Sequence, residues 1–233
     1  MVHVIVHNSI SADGSVEGFE PDIGLHYELA AGFGADVHLS GSDTLLAAGL
    51  PDDGDTGGAD EPARDDPDDA RPLLAVVDSR GRINSWRALR QAPHWRDRMV
   101  ALCSRTTPAH YLDRLADRFV DHIVAGDRRV DLRAALEALE RGYGARRVLV
   151  DSGGTLNGAL LRAGLVDEVS LLVHPRLVDG PQPTSILRPA APVGGDADSA
   201  AAGIALRLTG VDQRSGDVVW LRYDVVASTT GPA

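Results

Sequence analysis

The chain contains no lysine, so all 23 of its basic residues are arginines. This absence excludes Schiff-base chemistry and a phosphate-binding P-loop, because both depend on a lysine amine. A phosphate group must therefore be bound by arginine side chains, backbone N–H groups or hydroxyl groups. The formal net charge of −11 argues against a nucleic-acid partner, since nucleic acids bind to basic surfaces.

Cysteine and long apolar runs are also scarce. Cys103 is the single cysteine, which excludes an internal disulfide, and its apolar neighbours predict a buried, unreactive thiol. The chain has no apolar run near the roughly 20 residues that span a bilayer, so we expect no membrane contact. Because the N-terminal sequence MVHVIVHN lacks the features of a signal peptide, we expect a cytoplasmic protein.

Two segments lack apolar periodicity. Residues 51–72 hold nine acidic residues against two arginines, which predicts a solvated, mobile acidic loop. Their spacing does not match a calcium-binding EF-hand loop, and we expect no metal site. Residues 180–203 are rich in proline, alanine and glycine and predict a second loop. Neither segment reads as a linker between folded halves, so we expect a single domain over residues 1–233.

Short apolar runs alternate with helical segments along the rest of the chain, which is typical of an α/β fold. The predicted strands are 2–6, 36–39, 73–77, 99–103, 122–125, 148–150 and 169–173, and residues 204–208 and 218–226 predict a closing antiparallel hairpin. We therefore predict a three-layer α/β/α sandwich around a mixed, mostly parallel sheet.

Residues 148–173 predict a strand, a glycine turn, a helix and a second strand. The turn is 151–155, and Thr155 is the expected cap of the helix that follows. A glycine turn that leads into a helix N-terminus favours phosphate binding, because free N–H groups and the helix dipole both attract anions. An ordinary tight turn with a good cap is the alternative interpretation.

Four polar turns follow predicted strands, at Asp13, Gly41, Ser79 and Gly153. In α/β sheets the ligand binds at the carboxyl ends of the strands, so these turns are candidates for one cleft. Each also has a structural interpretation, in which Asp13 only forms its turn and Ser79 and Arg80 form a plain strand exit. The scattered histidines His7, His26 and His174 have no metal-ligand spacing.

Several motifs occur in an order that resembles the reductase domain of riboflavin biosynthesis, within the dihydrofolate-reductase-like superfamily. They are Ser11-Ala12-Asp13-Gly14, Gly41-Ser42-Asp43-Thr44, Val76-Val77-Asp78-Ser79-Arg80, Asp151-Ser152-Gly153-Gly154-Thr155-Leu156-Asn157 and Gly164-Leu165-Val166-Asp167-Glu168. The resemblance covers nearly the whole chain, and its glycine-turn motif is the specific one. It implies NADPH as the cofactor and reduction of a ribosylaminopyrimidine 5′-phosphate by hydride transfer to the ribose C1′.

The resemblance also implies roles for individual residues. The cofactor would contact Gly41, Ser42, Thr44, Ser79, Arg80, Ser152, Gly153, Gly154, Thr155 and Leu156. Among these, Ser79 and Arg80 would lie near the 2′-phosphate, and 152–156 would hold the pyrophosphate. The substrate would contact Ser11, Gly14 and Asp151, and Asp13 would be the catalytic residue. Water is the alternative source of the proton that the reaction requires.

The sequence departs from the family pattern at four positions. Ser15 stands where the family has a basic residue, Ser152 where glycine is frequent, Asp151 where the family has glutamate, and Ala48 where it has aspartate. The change at Ser15 bears on how a phosphorylated substrate is bound. Two alternatives therefore stay open: a reductase of dihydrofolate, a pterin or another small heterocycle, and a nucleotide-binding relative without activity.

We also expect a homodimer. The apolar strands 169–173 and 204–226 occur late in the chain, at what the pattern predicts to be a sheet edge. Exposed sheet edges are usually covered, and a two-fold interface is the commonest cover. The resemblance implies a dimer as well.

Overall fold

The computed structural model describes residues 2–54, 62, 66, 68–178, 184–187 and 203–226. Half of the predicted loop 51–72 and most of the predicted loop 180–203 lie outside the described residues, and the interpretation of both loops stays a prediction. By its internal contacts the chain divides into two compact units. The first is Met1–His3 with Ala31–Asp151, and the second is Val4–Ala30 with Ser152–Ala233. The single-domain assignment stays a prediction.

The described residues contain alternating strands and helices, as predicted. The strands are β1 His3–Ser11, β2 Val37–Gly41, β3 Leu73–Val77, β4 Met99–Cys103, β5 Asp121–Val124, β6 Arg147–Val150, β7 Glu168–His174, β8 Leu206–Gln213 and β9 Val219–Val225. The helices are α1 Ile23–Gly32, α2 Ser42–Ala47, α3 Trp86–Arg90, α4 Ala109–Asp117, α5 Leu132–Tyr143 and α6 Gly154–Arg162, and a short 3₁₀ turn spans Ser215–Asp217.

Parallel strands form the sheet of the first unit, in the order β5-β4-β3-β2-β6. Every residue of β4 is buried, because a central parallel strand is covered on both faces. This burial explains why β3 and β4 read as continuous apolar runs in the sequence. Trp86, Met99 and Tyr111 belong to the core cluster that packs against these strands.

Helix α5 shows how the sequence defines the ends of an element. Its N-cap is Asp131, whose side chain accepts a hydrogen bond from the N–H of Ala134 at 3.1 Å. Its C-cap is Gly144 in the left-handed region, at a φ of 68° that favours glycine. Asp131 and Gly144 therefore define the two ends of α5.

The second unit contains a mixed set of strands in the order β1-β7-β9-β8. Strand β1 is parallel to β7, in register from the Ile5–Glu168 pair to the Ser11–His174 pair. Strand β9 is antiparallel to both β7 and β8, which confirms the predicted hairpin. Among the described strand pairs of both units, most are parallel, as the predicted fold class requires.

Strands β1 and β2 end later than the sequence predicts. Strand β1 continues beyond Val6 to Ser11, because its polar residues are buried and hydrogen-bonded instead of marking a turn. Strand β2 continues to Gly41, and α2 begins directly at Ser42 without the expected glycine turn. Gly41 has a φ of −92°, a conformation open to any residue, so its backbone does not require glycine.

The Cys103 thiol is buried at the end of β4, as predicted. Burial, with a smaller effect of the Asp78 carboxylate, raises the pKa of this thiol to about 12, so the reactive thiolate is disfavoured. Within the described part of the chain, none of the helices combines the length and apolar character that crossing a membrane requires.

Candidate active site

The turn that follows β1 brings three predicted site residues together. The Ser11 hydroxyl donates to Asp13 Oδ1 at 2.6 Å and accepts from the Ser15 N–H at 2.9 Å. Gly14 has a φ of 86°, and its N–H donates to the Ser11 carbonyl at 2.9 Å. The Val178 N–H also donates to Asp13 Oδ1, at 3.1 Å. The carboxylate of Asp13 therefore organises this turn.

These contacts determine the charge state of Asp13. The hydrogen bond from Ser11, and then the one from Val178, lower the pKa of the carboxyl below its usual value. Asp13 is consequently ionised at neutral pH and suits the role of hydrogen-bond acceptor better than that of proton donor. The predicted catalytic role of Asp13 stays a prediction.

Ser15 occupies the position where a basic residue was expected. It is 1% exposed, and its hydroxyl donates to the Glu17 carbonyl at 2.8 Å and accepts from the Thr184 N–H at 3.2 Å. The exposed Arg176 adjoins the same turn, because its carbonyl accepts from the Ala12 N–H at 2.8 Å. Sequence reasoning missed this arginine, because it is 164 residues from Ala12 along the chain and adjoins the turn only through the pairing of β1 with β7.

The glycine turn before α6 is held by two asparagines. The Ser152 carbonyl accepts from Asn8 Nδ2 and from Asn157 Nδ2, both at 2.8 Å. Asn157 Nδ2 also donates to Asn8 Oδ1 at 2.7 Å. Both asparagines are buried, and neither was assigned a role from the sequence. The predicted first strand ends before Asn8, and the sequence singles out Asn157 only as a member of the family motif.

The N-terminus of α6 differs from the prediction. The N-cap is Gly153, and Thr155 lies inside the helix, which begins at Gly154. The predicted cap at Thr155 is therefore wrong, because the chain enters the helix directly after the fixed Ser152 carbonyl. No side chain caps this end of α6. An uncapped helix N-terminus next to glycines suits a phosphate group, as the sequence suggested. Leu156 faces the core.

In the first unit, Asp78 shapes the loop after β3. This fully buried residue accepts three hydrogen bonds at Oδ2, from the Arg82 N–H at 2.7 Å, the Ile83 N–H at 2.9 Å and the Tyr111 hydroxyl at 2.9 Å. Burial first, and then Asp78, raise the pKa of Tyr111. Gly81 has a φ of 65°, and a Cβ there would lie 2.7 Å from the Tyr111 ring. The loop therefore has one well-defined path.

Ser79 ties this loop to the loops after β4 and β5. Its hydroxyl accepts from the Val130 N–H at 3.0 Å, and its carbonyl accepts from the Thr107 hydroxyl at 2.9 Å. The three joined loops carry exposed arginines, namely Arg80, Arg105, Arg128 and Arg129. Asp127 offsets part of this charge by pairing with Arg105 at 3.5 Å. This group of arginines suits a phosphate group.

Arg82 joins the loop after β3 to the start of α2. Its Nη2 donates to Ser42 Oγ at 2.7 Å and to Asp43 Oδ1 at 2.6 Å. Because Ser42 Oγ accepts this bond, the Ser42 hydroxyl proton is available to a ligand. Two predicted cofactor segments, 41–44 and 79–80, are thereby linked. Arg82 was not among the residues predicted from the sequence.

Asp151 closes β6 within the first unit. Its N–H donates to the Leu39 carbonyl at 3.1 Å, and its carbonyl accepts from the Ser40 hydroxyl at 2.9 Å. The backbone position of Asp151 is thus fixed by β2. Its predicted contact with the substrate stays a prediction.

The described histidines do not form a metal site. His7 Nδ1 is bonded to Ser170 Oγ at 2.9 Å, and its Nε2 is bonded to the His26 carbonyl at 3.2 Å. Among the described residues, no group of histidine, cysteine, aspartate or glutamate has the arrangement of a metal-ion site. The rings of His7 and His26, a residue of α1, instead pack against each other with their centroids 4.5 Å apart.

The sequence of this chain matches the model of a known protein family. Residues 2–220 match the model of the RibD C-terminal domain. The chain belongs to the RibD C-terminal domain family. The match covers both units and includes every residue singled out above.

Two curated relatives carry the same functional name. Each is a 2,5-diamino-6-ribosylamino-4(3H)-pyrimidinone 5′-phosphate reductase. The protein of Methanothermobacter thermautotrophicus is 37% identical over 114 residues, and that of Archaeoglobus fulgidus is 35% identical over 121 residues. These matches cover 47% and 52% of this chain, and they span only about half of each relative, 48% and 52%.

Solved structures share the fold of this chain. A pyrimidine reductase-like protein from Corynebacterium diphtheriae has a TM-score of 0.67 at 17% identity, with 97% of this chain and 92% of that chain covered. The riboflavin biosynthesis reductase Rib7 of Saccharomyces cerevisiae has a TM-score of 0.64 at 16% identity, with 97% and 90% covered. RibD of Acinetobacter baumannii has a TM-score of 0.68 at 20% identity, with 97% and 58% covered. The dihydrofolate-reductase-like fold predicted from the sequence is confirmed.

Proposed function

We propose that this protein is an NADPH-dependent oxidoreductase of riboflavin biosynthesis that reduces a ribosylaminopyrimidine 5′-phosphate. The observation that carries the proposal is the family match over residues 2–220. The matched residues include the glycine turn that Asn8 and Asn157 hold, at the N-terminus of α6, where no side chain caps the helix. The names of the two curated relatives support the same substrate class.

Each unit, taken by itself, offers groups that suit a phosphate of the proposed cofactor. The turn 152–154 and the N-terminus of α6 offer backbone N–H groups to the pyrophosphate. The loops around Ser79 offer Arg80 and the neighbouring guanidinium groups to the 2′-phosphate. Gly41, Ser42 and Thr44 lie on the segment that Arg82 joins to the loops around Ser79, and the Ser42 hydroxyl would donate a hydrogen bond to the bound cofactor.

The bound cofactor supplies a hydride, which is delivered to the ribose C1′ of the substrate. The C1′–O4′ bond breaks as the C1′–H bond forms, and O4′ takes up a proton to become a hydroxyl group. Asp13 is ionised, so we propose that it orients the ribose by accepting a hydrogen bond. We propose that water donates the proton to O4′. Ser11, Gly14 and Asp151 complete the substrate-binding set.

The exposed Arg176 offers a cation for the 5′-phosphate of the substrate. Ser15 cannot provide one, since it is an uncharged side chain engaged by Glu17 and Thr184. Arg176 is attached to the same turn through the Ala12 N–H. We further propose that the protein acts as a homodimer in the cytoplasm on a small molecule, without a nucleic-acid or membrane partner.

The test is an NADPH oxidation assay with the diaminopyrimidinone and the aminouracil ribosyl phosphates, run beside dihydrofolate. We expect turnover with at least one of the two ribosyl phosphates and none with dihydrofolate. NADPH that is deuterated at the transferred position should place the deuterium at C1′ of the product. Turnover of dihydrofolate alone would favour a pterin-type reductase, and NADPH binding without any turnover would favour a relative that has lost activity.

A further inference from the structure

The Ser152 carbonyl accepts hydrogen bonds from two side chains, which fixes its orientation in the glycine turn. It accepts from Asn8 Nδ2 and Asn157 Nδ2, and the two side chains are themselves bonded at 2.7 Å. The turn that results leads straight into α6, which has no side-chain cap. From this arrangement we infer that Asn157, together with Asn8, is a positioning residue for the cofactor. The inference rests on the proposed function, because the glycine turn is there the pyrophosphate site.

Only an amide at position 157 satisfies the surroundings. Both groups that face its Nδ2 atom, the Ser152 carbonyl and Asn8 Oδ1, are hydrogen-bond acceptors. A carboxylate would repel both of them, and an apolar side chain would leave them without this donor. Asn157 is 0% exposed, so these acceptors are shielded from bulk water.

The Asn157 amide also destabilises the fold in a way that an apolar side chain would not. Asn157 Oδ1 is buried without a hydrogen-bond partner. A buried unsatisfied oxygen destabilises the fold. The Asn157 side chain nevertheless donates both of its N–H groups, one to Ser152 and one to Asn8, and leaves its own oxygen without a partner. We interpret this as the sign of a constraint on the turn, since the amide is kept at this position although its own oxygen stays unsatisfied.

The orientation of the Ser152 peptide group determines where the next N–H groups point. With the carbonyl fixed toward the two asparagines, the chain passes through Gly153 and starts α6 at Gly154. The first N–H groups of a helix have no partners inside the helix and interact with an anion when one is present. Loss of the fixed carbonyl would therefore misdirect these donors without removing any of them.

The decisive variants are Asn157→Asp and Asn8→Ala, with Leu160→Ala as the matched control. Leu160 is a fully buried residue on the same helix and takes no part in the turn. We expect NADPH to bind roughly tenfold more weakly to Asn157→Asp, because hydrogen bonds to a buried carbonyl are lost. Its KM for NADPH should rise while kcat at saturating NADPH changes little. Leu160→Ala should lose thermal stability and keep its NADPH affinity.

A second readout does not involve the cofactor. Amide hydrogen exchange at Gly153, Gly154 and Thr155 should be faster in Asn157→Asp than in both the unmutated protein and Leu160→Ala. In a double-mutant cycle with alanine at 8 and 157, the second substitution should weaken NADPH binding less than the first, since both side chains serve one carbonyl.

The outcomes separate the two proposals. Unchanged exchange in Asn157→Asp, or an NADPH affinity equal to that of Leu160→Ala, overturns the positioning role while the reductase proposal stands. Additive effects in the cycle overturn the joint role of the two asparagines. If the unmutated protein does not bind NADPH, the reductase proposal fails and the positioning role fails with it, whatever the exchange rates show.

Discussion

Single polar side chains define the loops of both units. Asp78 holds the loop after β3 through three donors, and Asn8 and Asn157 hold the turn before α6 through one carbonyl. All three are buried, so each must find its partners inside the protein. We expect a substitution of Asp78, Asn8 or Asn157 to move the whole loop or turn that the residue holds. A substitution of a residue that only contacts a ligand would leave the loop in place.

Arg80 tests the preference for NADPH. It is exposed on the loop fixed by Asp78, and a guanidinium group there binds a 2′-phosphate but gains little from a hydroxyl. We expect Arg80→Ala to lose about 1.5–3 kcal/mol of NADPH binding, roughly tenfold to hundredfold in affinity, and almost nothing with NADH. Fluorescence titration of both cofactors measures this. Equal losses for the two cofactors would move the 2′-phosphate site to another arginine, with Arg105 next.

A matched control for Arg80→Ala is Arg141→Ala. Arg141 is an exposed arginine on α5 that pairs with Glu137 at 3.6 Å. Its removal changes the net charge by the same amount, and we expect both affinities to stay at the values of the unmutated protein.

His174 gives the protein a pH dependence of predictable sign. Burial lowers its pKa below 6.5, Asp22 opposes this shift, and His26 and Arg176 add to it. Between the folded and unfolded pKa values the unfolded chain binds more protons, so stability falls as the pH drops below about 6.5. We expect His174→Gln to lose less thermal stability between about pH 7.5 and about pH 5.5. The exposed His110→Gln should behave as the unmutated protein, and an unchanged slope in His174→Gln would contradict the assignment.

At the scale of elements, the sequence predicted the interior strands and failed at boundaries set by distant partners. Strands β3 and β4 were located to the residue, because central parallel strands are apolar on both faces. Strand β1 was predicted too short, since its polar residues find partners far away, as Asn8 does in Ser152, 144 positions along the chain. No local pattern contains such a pairing.

The candidate site was predictable to a similar extent. Motif order placed Ser11, Asp13 and Gly14 in one turn, and the hydrogen bonds of that turn agree. Arg82 was missed, because its contact with Ser42 depends on how the loop after β3 folds back. Exposed motif residues can therefore be found from the sequence, whereas the residues that hold them require the structure.

Two helix starts provide a prediction at this scale. Asp131 caps α5 through the Ala134 N–H, whereas Thr155 makes no capping bond at α6. We expect Asp131→Ala to lower the free energy of unfolding by about 1 kcal/mol, and Thr155→Ala to change it by less than about 0.5 kcal/mol. Urea denaturation of the two variants measures both values. A loss at Thr155 as large as that at Asp131 would restore the cap predicted from the sequence.

At the scale of the whole molecule, the closing hairpin is the candidate contact surface between two copies. Leu206, Leu208 and Val211 on β8 are 40%, 54% and 56% exposed, although they are large apolar residues. Among the described strands of the second unit, β8 pairs with β9 alone. Exposed apolar edges are commonly covered by a second copy of the chain.

We expect light scattering to show a particle of twice the 24.6 kDa chain mass at micromolar concentration. Leu208→Arg should shift it to the monomer, because an arginine would be buried against the partner without a counter-ion. Val124→Arg, at a similarly exposed apolar position on β5, should leave the mass unchanged. A monomeric unmutated protein would rule out the dimer.

The burial of Ser15 also has an evolutionary consequence. Its hydroxyl is bonded to both backbone groups of Glu17 and to the Thr184 N–H. A lysine introduced there alone would bury an ammonium group and break all these bonds, so it would be selected against before it could serve any substrate. A basic residue could therefore replace Ser15 only if the segment near Thr184 repacked at the same time. A single substitution that adds a cation to this turn must consequently be made at a position other than Ser15.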